Sequence, residues 1–68
     1  MAIEYKITNT NTNETHYRYN QDSVQDLVEE MTDDISEALI VSSWCEEANC
    51  GDTYQSEDYS LTVEVCEI

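Results

Sequence analysis

The two ends of the chain alternate between apolar and polar residues, which is the pattern of a strand with one buried face. Residues 3–7 read Ile-Glu-Tyr-Lys-Ile, and residues 61–65 read Leu-Thr-Val-Glu-Val. Both segments place an apolar side chain at every second position. Each therefore predicts a strand.

A polar turn and a second strand follow the first. Residues 9–13 are Asn and Thr only, and Asn side chains tolerate turn geometry. Beyond them Thr15, Tyr17 and Tyr19 occupy alternate positions, which predicts the second strand of a hairpin. The same alternation places His16 on the opposite, exposed side.

The spacing of the apolar residues becomes helical after Asp22. Ser23 is the predicted N-cap, with Asp26 three residues later in the position of a capping box. The apolar side chains that lie within about 60° of one line along this helix are Val24, Leu27, Val28, Met31, Ile35 and Ala38 or Leu39. The pattern predicts one amphipathic helix.

A third strand is predicted from Leu39 to about Cys45, because this segment opens with Leu-Ile-Val. Residues 49–52, Asn-Cys-Gly-Asp, are the strongest turn signal in the chain, and residues 46–58 otherwise fit either a short helix or an extra strand. The expected fold of residues 1–68 is a single small α+β domain. Its order is ββαββ, an antiparallel sheet with one amphipathic acidic helix packed on its apolar face.

Charge narrows the possible functions. Two basic residues against sixteen acidic ones give the 68-residue chain a formal net charge of −14. This excess argues against direct binding to nucleic acid or to an anionic membrane, because both would repel the chain. No stretch is apolar enough for a membrane helix, and the N-terminus lacks the layout of a signal peptide, so we expect a cytoplasmic protein. So short a chain leaves little room for a catalytic cleft, and we expect no enzyme.

Composition alone places the chain near the border of disorder, since just under a fifth of its residues are Leu, Ile or Val and its charge is high. Five tyrosines, one tryptophan and the absence of proline oppose that interpretation, as does the periodicity of the apolar residues. We expect a folded domain whose stability rises as salt screens the repulsion between carboxylates.

The predicted helix carries a row of acidic residues opposite its apolar stripe, with no Lys or Arg between them. The row consists of Asp22, Asp26, Glu29, Glu30, Asp33, Asp34 and Glu37. Each pair of like charges four residues apart destabilises a helix by about 0.2–0.5 kcal/mol. Such carboxylates are about 6 Å apart along the axis, comparable to successive phosphates on a nucleic-acid strand. The plain alternative is a face that only keeps the protein soluble, but solubility does not require charge of a single sign.

Further acidic residues extend the candidate surface if the segment after the third strand folds beside the helix. They are Glu46, Glu47, Asp52, Glu57 and Asp58. Tyr54 and Tyr59 lie among them and are candidate apolar anchors inside an acidic rim, whereas Trp44 is expected to pack in the core.

The three cysteines and the single histidine do not have the spacing of a metal site. Structural zinc takes four ligands, and the chain has no CxxC pair. Residues 46–52 lack the ligand spacing of a calcium-binding EF-hand loop. We therefore expect no cofactor and no metal. Cys45, Cys50 and Cys66 are expected as reduced thiols, with a Cys45–Cys50 disulfide across the turn as the alternative in an oxidising compartment.

Small size, an extreme acidic balance, a compact α+β pattern and a helix lined with carboxylates resemble the phage-encoded mimics of nucleic acid. These include anti-CRISPR proteins, anti-restriction proteins and uracil-DNA glycosylase inhibitors. The resemblance concerns the character of the whole chain and no aligned motif. It implies a stoichiometric inhibitor, by preference an anti-CRISPR protein, that blocks the DNA- or RNA-binding site of a host defence complex in the host cytoplasm.

The implied partner is a basic nucleic-acid-binding protein or a ribonucleoprotein effector complex, bound by a monomer or a homodimer. Two alternatives belong to other classes. One is an acidic adaptor that binds a basic protein segment without imitating nucleic acid, and the other is a small metal-buffering protein.

Overall fold

Four strands and two helices make up residues 2–68, the part of the chain that the computed structural model describes. In chain order they are β1 (Ile3–Asn9), β2 (Glu14–Arg18), α1 (Gln21–Thr32), α2 (Ile35–Glu47), β3 (Thr53–Gln55) and β4 (Leu61–Glu67). The expected small α+β domain is confirmed, with two strands before the helical region and two after it. The helical region consists of two helices where the sequence pattern predicts one.

The strands form one antiparallel sheet in the order β2-β1-β4-β3, so the two longest strands lie in the middle. Ile7 of β1 lies opposite Val63 of β4, and Tyr5 lies opposite Val65. All four side chains are buried. The alternation predicted at both ends of the chain is confirmed, and it supplies the sheet's half of the core.

Both helices pack on this apolar face and supply the other half of the core. Val24 and Val28 of α1 and Val41 of α2 are fully buried, as are Ile7 and Val63 of the sheet. A layer of helices on one layer of sheet is a common way for a small domain to bury apolar surface. Within residues 2–68, the opposite face of the sheet carries no helix.

The two helices form a hairpin with a two-residue connection. α1 ends because Asp33 adopts the left-handed conformation (φ 54°), and its N–H donates to the carbonyl oxygen of Glu29 at 2.8 Å. Asp is one of the few residues besides glycine that adopt this conformation readily. At the other end of the hairpin, the Gln21 side chain donates to the carbonyl oxygen of Ser42 at 2.9 Å. The prediction of one helix that continues through residues 33 and 34 is therefore wrong.

The predicted third strand from Leu39 to Cys45 is also wrong, because these residues lie in α2. The side chains that α2 buries have helical spacing, and they are Glu37, Ala38, Val41, Ser42 and Cys45. Asp34 is the N-cap, and its side chain accepts hydrogen bonds from the first turn. A short β-branched run fits a strand or a buried helix equally, and here the cap and the contact with the sheet favour the helix.

Asn20, rather than Ser23, caps α1. The Asn20 backbone is extended (φ −149°), and its side-chain oxygen accepts a hydrogen bond from the Ser23 N–H at 2.8 Å. Ser23 therefore lies inside the first turn of the helix, and its prediction as the cap is wrong. Asn and Ser are equally good caps, so residue type alone could not choose between them.

β2 faces the opposite way from expectation. His16 lies opposite Ile7 on the core side and is half-buried, with its Nε2 atom 2.6 Å from Oε1 of Glu14. Tyr17 lies opposite Lys6 on the outer face and is 46% exposed. The prediction of an exposed His16 is wrong. β2 is an edge strand with a weak burial pattern, and such a pattern specifies poorly which side of a strand faces the core.

The turn predicted at residues 49–52 is confirmed. Gly51 has a φ of 97°, in the region that favours glycine, and the Asp52 N–H donates to the carbonyl oxygen of Asn49 at 2.9 Å. The turn leads into β3. The segment left open over residues 46–58 therefore contains the end of α2, this turn and a short edge strand.

Replacement of the cap tests the start of α1. Asn20→Ala is expected to lower the free energy of unfolding by about 0.5–2 kcal/mol, because the first turn loses its acceptor. Ser23→Ala is the matched control and is expected to change it by less than about 0.5 kcal/mol. Urea unfolding followed by Trp44 fluorescence measures both. Equal losses in the two variants would contradict the assignment of Asn20.

Candidate partner-binding surface

The outer side of α1 is the first part of the candidate surface. It carries an acidic stripe, which we define as Asp22, Asp26, Glu29, Glu30 and Asp33, all of them exposed. The stripe lies opposite the buried side of the helix. Between its first member and Glu30 the helix advances by about 12 Å. Five of the seven residues predicted for the row therefore do form one exposed surface.

No cation neutralises the acidic stripe within residues 2–68. In this part of the chain, the one close approach of a basic to an acidic side chain is between His16 and Glu14 on β2. The two basic residues of the chain, Lys6 and Arg18, lie on β1 and β2. The charge of the stripe is therefore open to positive groups from outside the molecule.

The C-terminal end of α1 adds an electrostatic cost. Glu29 and Glu30 lie in its last turn, where unpaired carbonyl groups make the helix end partly negative, and no basic residue lies there. A carboxylate in such a place typically costs about 0.3–1 kcal/mol. A positively charged partner would relieve that cost. The expectation that added salt stabilises the domain stays a prediction.

Asp34 and Glu37 do not belong to the stripe, and the prediction that places them on its exposed side is wrong. Oδ1 of Asp34 accepts a hydrogen bond from the Ser36 N–H at 2.9 Å, and Oδ2 accepts one from the Tyr59 hydroxyl at 2.6 Å. Glu37 is only 6% exposed, and its Oε2 accepts a hydrogen bond from the Tyr54 hydroxyl at 2.8 Å. The break between the helices turns both carboxylates toward the segment that contains β3 and the start of β4.

Tyr54 and Tyr59 fasten this segment to the start of α2. Both side chains are half-buried, and both hydroxyl groups donate to carboxylates of the same chain. The two hydroxyls therefore have internal partners, and the role of the rings as anchors for a partner stays a prediction. Trp44 lies against the core, as expected, and its ring centroid is 5.7 Å from that of Tyr54.

The tyrosine–carboxylate bonds shift the pKa values of the groups they join. The hydrogen bond from Tyr59, followed by that from the Glu37 N–H, lowers the pKa of Asp34. The bond to Asp34 raises the pKa of Tyr59 to about 12. Burial, followed by the bond to Glu37, raises the pKa of Tyr54 to about 12. Neutral hydroxyl groups thus satisfy the two carboxylates without adding any positive charge.

The remaining predicted acidic residues lie near the two ends of the helical hairpin. They are Glu46 and Glu47 at the end of α2, Asp52 in the following turn, and Glu57 and Asp58 before Tyr59, all of them exposed. The first group follows Ser42, which contacts the start of α1. The second lies beside the connection between the helices, through the bond from Tyr59 to Asp34. They extend the negative surface beyond the ends of the stripe rather than alongside it.

A cleft of about 320 Å³ lies between α2 and β3. Its lining residues are Glu37, Ile40, Tyr54, Gln55, Glu57 and Asp58. Ile40 and the ring of Tyr54 give it apolar walls, and Glu57 and Asp58 give it an acidic rim. In this cleft, exposed apolar and acidic side chains line the same depression.

An uncharged patch on α2 is the feature that the sequence interpretation missed. The exposed side chains between residues 35 and 43 are Ile35, Ser36, Leu39, Ile40 and Ser43, which we call the apolar α2 face. Ile35, Leu39 and Ile40 are 48%, 50% and 53% exposed. One signal was present in the sequence. If residues 35–45 form a helix, their apolar side chains surround it, and one buried side cannot cover them all.

The three cysteines are free thiols. Burial raises the pKa of Cys45 to about 11, whereas Cys50 is exposed and Cys66 is half-buried. Residues 2–68 contain no group of three or more His, Cys, Asp or Glu side chains placed to hold a metal ion. In the same residues, no helix has the length and apolar character needed to cross a membrane.

Comparison with known proteins gives this surface no established role. No protein-family model matches the sequence, and the searches of curated proteins and of solved structures found no match. The resemblance to phage-encoded mimics of nucleic acid therefore stays a hypothesis that is based on charge, size and fold class.

Alkaline pH tests the two tyrosine–carboxylate bonds. The fold raises the pKa of both tyrosines from the usual value of 10.0 to about 12. The two hydrogen bonds therefore contribute fully to stability below pH 10.0, and this contribution is lost as the pH rises toward about 12. We expect the wild-type free energy of unfolding to fall over this interval, and to fall less steeply in Tyr54→Phe and in Tyr59→Phe. Urea unfolding followed by circular dichroism measures the slopes.

The control for the alkaline experiment is Tyr17→Phe, because Tyr17 is exposed on the outer face of the sheet. Its slope is expected to stay close to that of the wild type. A common slope for all three variants would contradict the proposed contribution of the two tyrosine–carboxylate hydrogen bonds to stability.

Proposed function

We propose that this protein is a non-enzymatic inhibitor that mimics nucleic acid and occupies the DNA- or RNA-binding groove of a host defence complex, with a CRISPR effector complex as the preferred target. The observation that carries the proposal is the acidic stripe. It presents exposed carboxylates along one helix, with no internal ion pair in residues 2–68 to neutralise them. The positive charges that such a surface lacks are those that a groove for nucleic acid supplies.

The spacing of the stripe supports a contact that resembles a phosphate backbone. Asp22, Asp26 and Glu30 follow one another at four-residue intervals, about 6 Å apart along the axis. Lys and Arg side chains that are arranged for successive phosphates would meet carboxylates at comparable intervals. The stripe excludes Asp34 and Glu37, which have internal donors, so the acidic groups at the ends of the hairpin supply the rest of the negative surface.

The net charge supports rapid association that is sensitive to salt. A chain with a charge of −14 attracts a basic surface over a distance of about 10 Å at ~0.1 M salt. Such attraction raises the association rate and orients the two molecules. Binding also relieves the repulsion between neighbouring carboxylates of the stripe. Added salt is therefore expected to weaken the complex.

A second candidate is an acidic adaptor that binds a basic protein segment. The observation that favours it is the apolar α2 face, because the phosphate backbone of a nucleic acid has no apolar counterpart to imitate. Competition separates the two functions. An inhibitor of the proposed kind and nucleic acid exclude each other on the partner, whereas an adaptor and nucleic acid bind together.

The combined change Asp26→Lys, Glu29→Lys and Glu30→Lys tests the proposal. Asp33 is left unchanged because its left-handed backbone suits Asp better than Lys. The wild type is expected to block binding of target DNA to a purified CRISPR effector complex in a mobility-shift assay. The variant is expected to need at least about tenfold more protein for half-inhibition, equivalent to ~1.4 kcal/mol of lost contact. Its fold should persist, because the lysines at positions 26 and 29 lie four residues from Asp22 and Asp33, and those at 29 and 30 suit the partly negative C-terminal end of α1.

The matched control combines Glu14→Lys, Glu64→Lys and Glu67→Lys. These residues are exposed on β2 and β4, away from the stripe. Each change replaces a negative charge by a positive one and raises the net charge by two, so three changes move the net charge of either variant from −14 to −8. The control is expected to inhibit like the wild type. Equal losses would show a dependence on net charge alone, and undiminished inhibition by the α1 variant would contradict the proposal.

A further inference from the structure

We infer that the apolar α2 face and the adjoining cleft form a second contact with the same partner. Their occupant is a protein segment that carries apolar side chains flanked by Lys or Arg. This inference rests on the proposed function, because the proposed function is what implies a positively charged partner. It adds a feature that a mimic of phosphate alone would not need, namely an apolar contact beside the acidic one.

No contact within residues 2–68 covers the exposed side chains of this face. Single exposed apolar residues are ordinary on protein surfaces, but Ile35 and Leu39 lie one turn apart on α2, Ile40 follows Leu39 directly, and each is about half exposed. The other exposed residues of the apolar α2 face are Ser36 and Ser43. In a chain that carries sixteen acidic residues, this is a surface from which charge is absent. Exposed apolar side chains that are grouped in this way are typical of a contact site.

The cleft beside Ile40 fits a Lys or Arg side chain. Long basic side chains cover apolar surface with their methylene groups and keep the charged end at a polar position. Ile40 and the ring of Tyr54 would contact the methylene groups, and the exposed carboxylates of Glu57 and Asp58 would meet the charged end. Glu37 also lines the cleft, but its carboxylate already accepts the hydrogen bond from Tyr54.

Charge complementarity selects a basic partner over a second copy of this chain. Each copy carries a net charge of −14. The apolar α2 face has Glu46 and Glu47 beyond one end and Glu57 and Asp58 beside the cleft, so two copies placed face to face would bring these acidic residues together. A basic segment with apolar side chains would instead form favourable contacts with both the apolar α2 face and the acidic residues around it. An apolar centre with a charged rim is also the usual arrangement of a protein–protein contact.

Two synthetic peptides of equal length, with lysines at the same positions, test the inference. One has leucine between the lysines at helical spacing, and the other has serine there, so they differ in apolar surface and not in charge. Calorimetric titration is expected to show the lysine–leucine peptide binding at least about tenfold more tightly. In the double variant Leu39→Gln and Ile40→Gln this preference is expected to fall below about twofold, with binding of the lysine–serine peptide unchanged.

The matched control is Tyr17→Gln with Tyr19→Gln, because these residues are 46% and 61% exposed outside the apolar α2 face. It is expected to retain the preference for leucine. The inference is overturned if the preference persists in the α2 variant or is lost equally in the control. A wild-type dimer in sedimentation equilibrium that the α2 variant abolishes would also overturn it, since the occupant would then be a second copy.

The same titrations distinguish failure of this inference from failure of the proposed function. Binding of the lysine–serine peptide depends on charge alone, and the Asp26, Glu29 and Glu30 reversal is expected to weaken it at least about tenfold. If that binding is insensitive to the reversal, the acidic stripe is not a site for basic groups and the proposed function fails. If only the preference for leucine is absent, the second contact alone fails.

Discussion

The pairing of β1 with β4 beneath two helices is the interaction on which the whole structure depends. A chain with this much negative charge stays compact only where apolar burial exceeds the repulsion. The largest fully buried side chains are all β-branched, and they are Ile7, Val24, Val28, Val41, Val63 and Val65. Such side chains lose little rotational freedom when they are packed, because few rotamers are open to them beforehand. A small core can therefore hold a strongly charged surface.

The two helices share this core but present opposite kinds of surface to the solvent. The exposed side of α1 is crowded with carboxylates, and that of α2 is uncharged from Ile35 to Ser43. The first arrangement is unfavourable because like charges lie together, and the second because apolar groups remain in water. Neither contributes to the stability of the isolated domain. Both would be relieved by one molecule that offers positive charge next to apolar groups, which is why we treat them as parts of one surface.

Alternation was sufficient to predict β1 and β4, because Tyr5, Ile7 and Val63 all face one well-covered side. It failed at the edge strand β2, where coverage is partial. The break between the helices was not predicted, because no glycine or proline marks it: Asp33 and Asp34 end one helix and begin the next while continuing an acidic pattern. The bonds from the tyrosines to the carboxylates of α2 could not be foreseen either. They join residues 17 and 25 positions apart, which only the assembled fold brings together.

The location of the two basic residues has a consequence for motion in an electric field. Lys6 and Arg18 lie on the first two strands, whereas most carboxylates belong to the helices and to the segment up to Asp58. Positive and negative charge are thus centred on different parts of the molecule, which gives it a permanent dipole moment. Near a positively charged object, the resulting torque rotates the domain so that the helices face the object and strand β2 faces away from it.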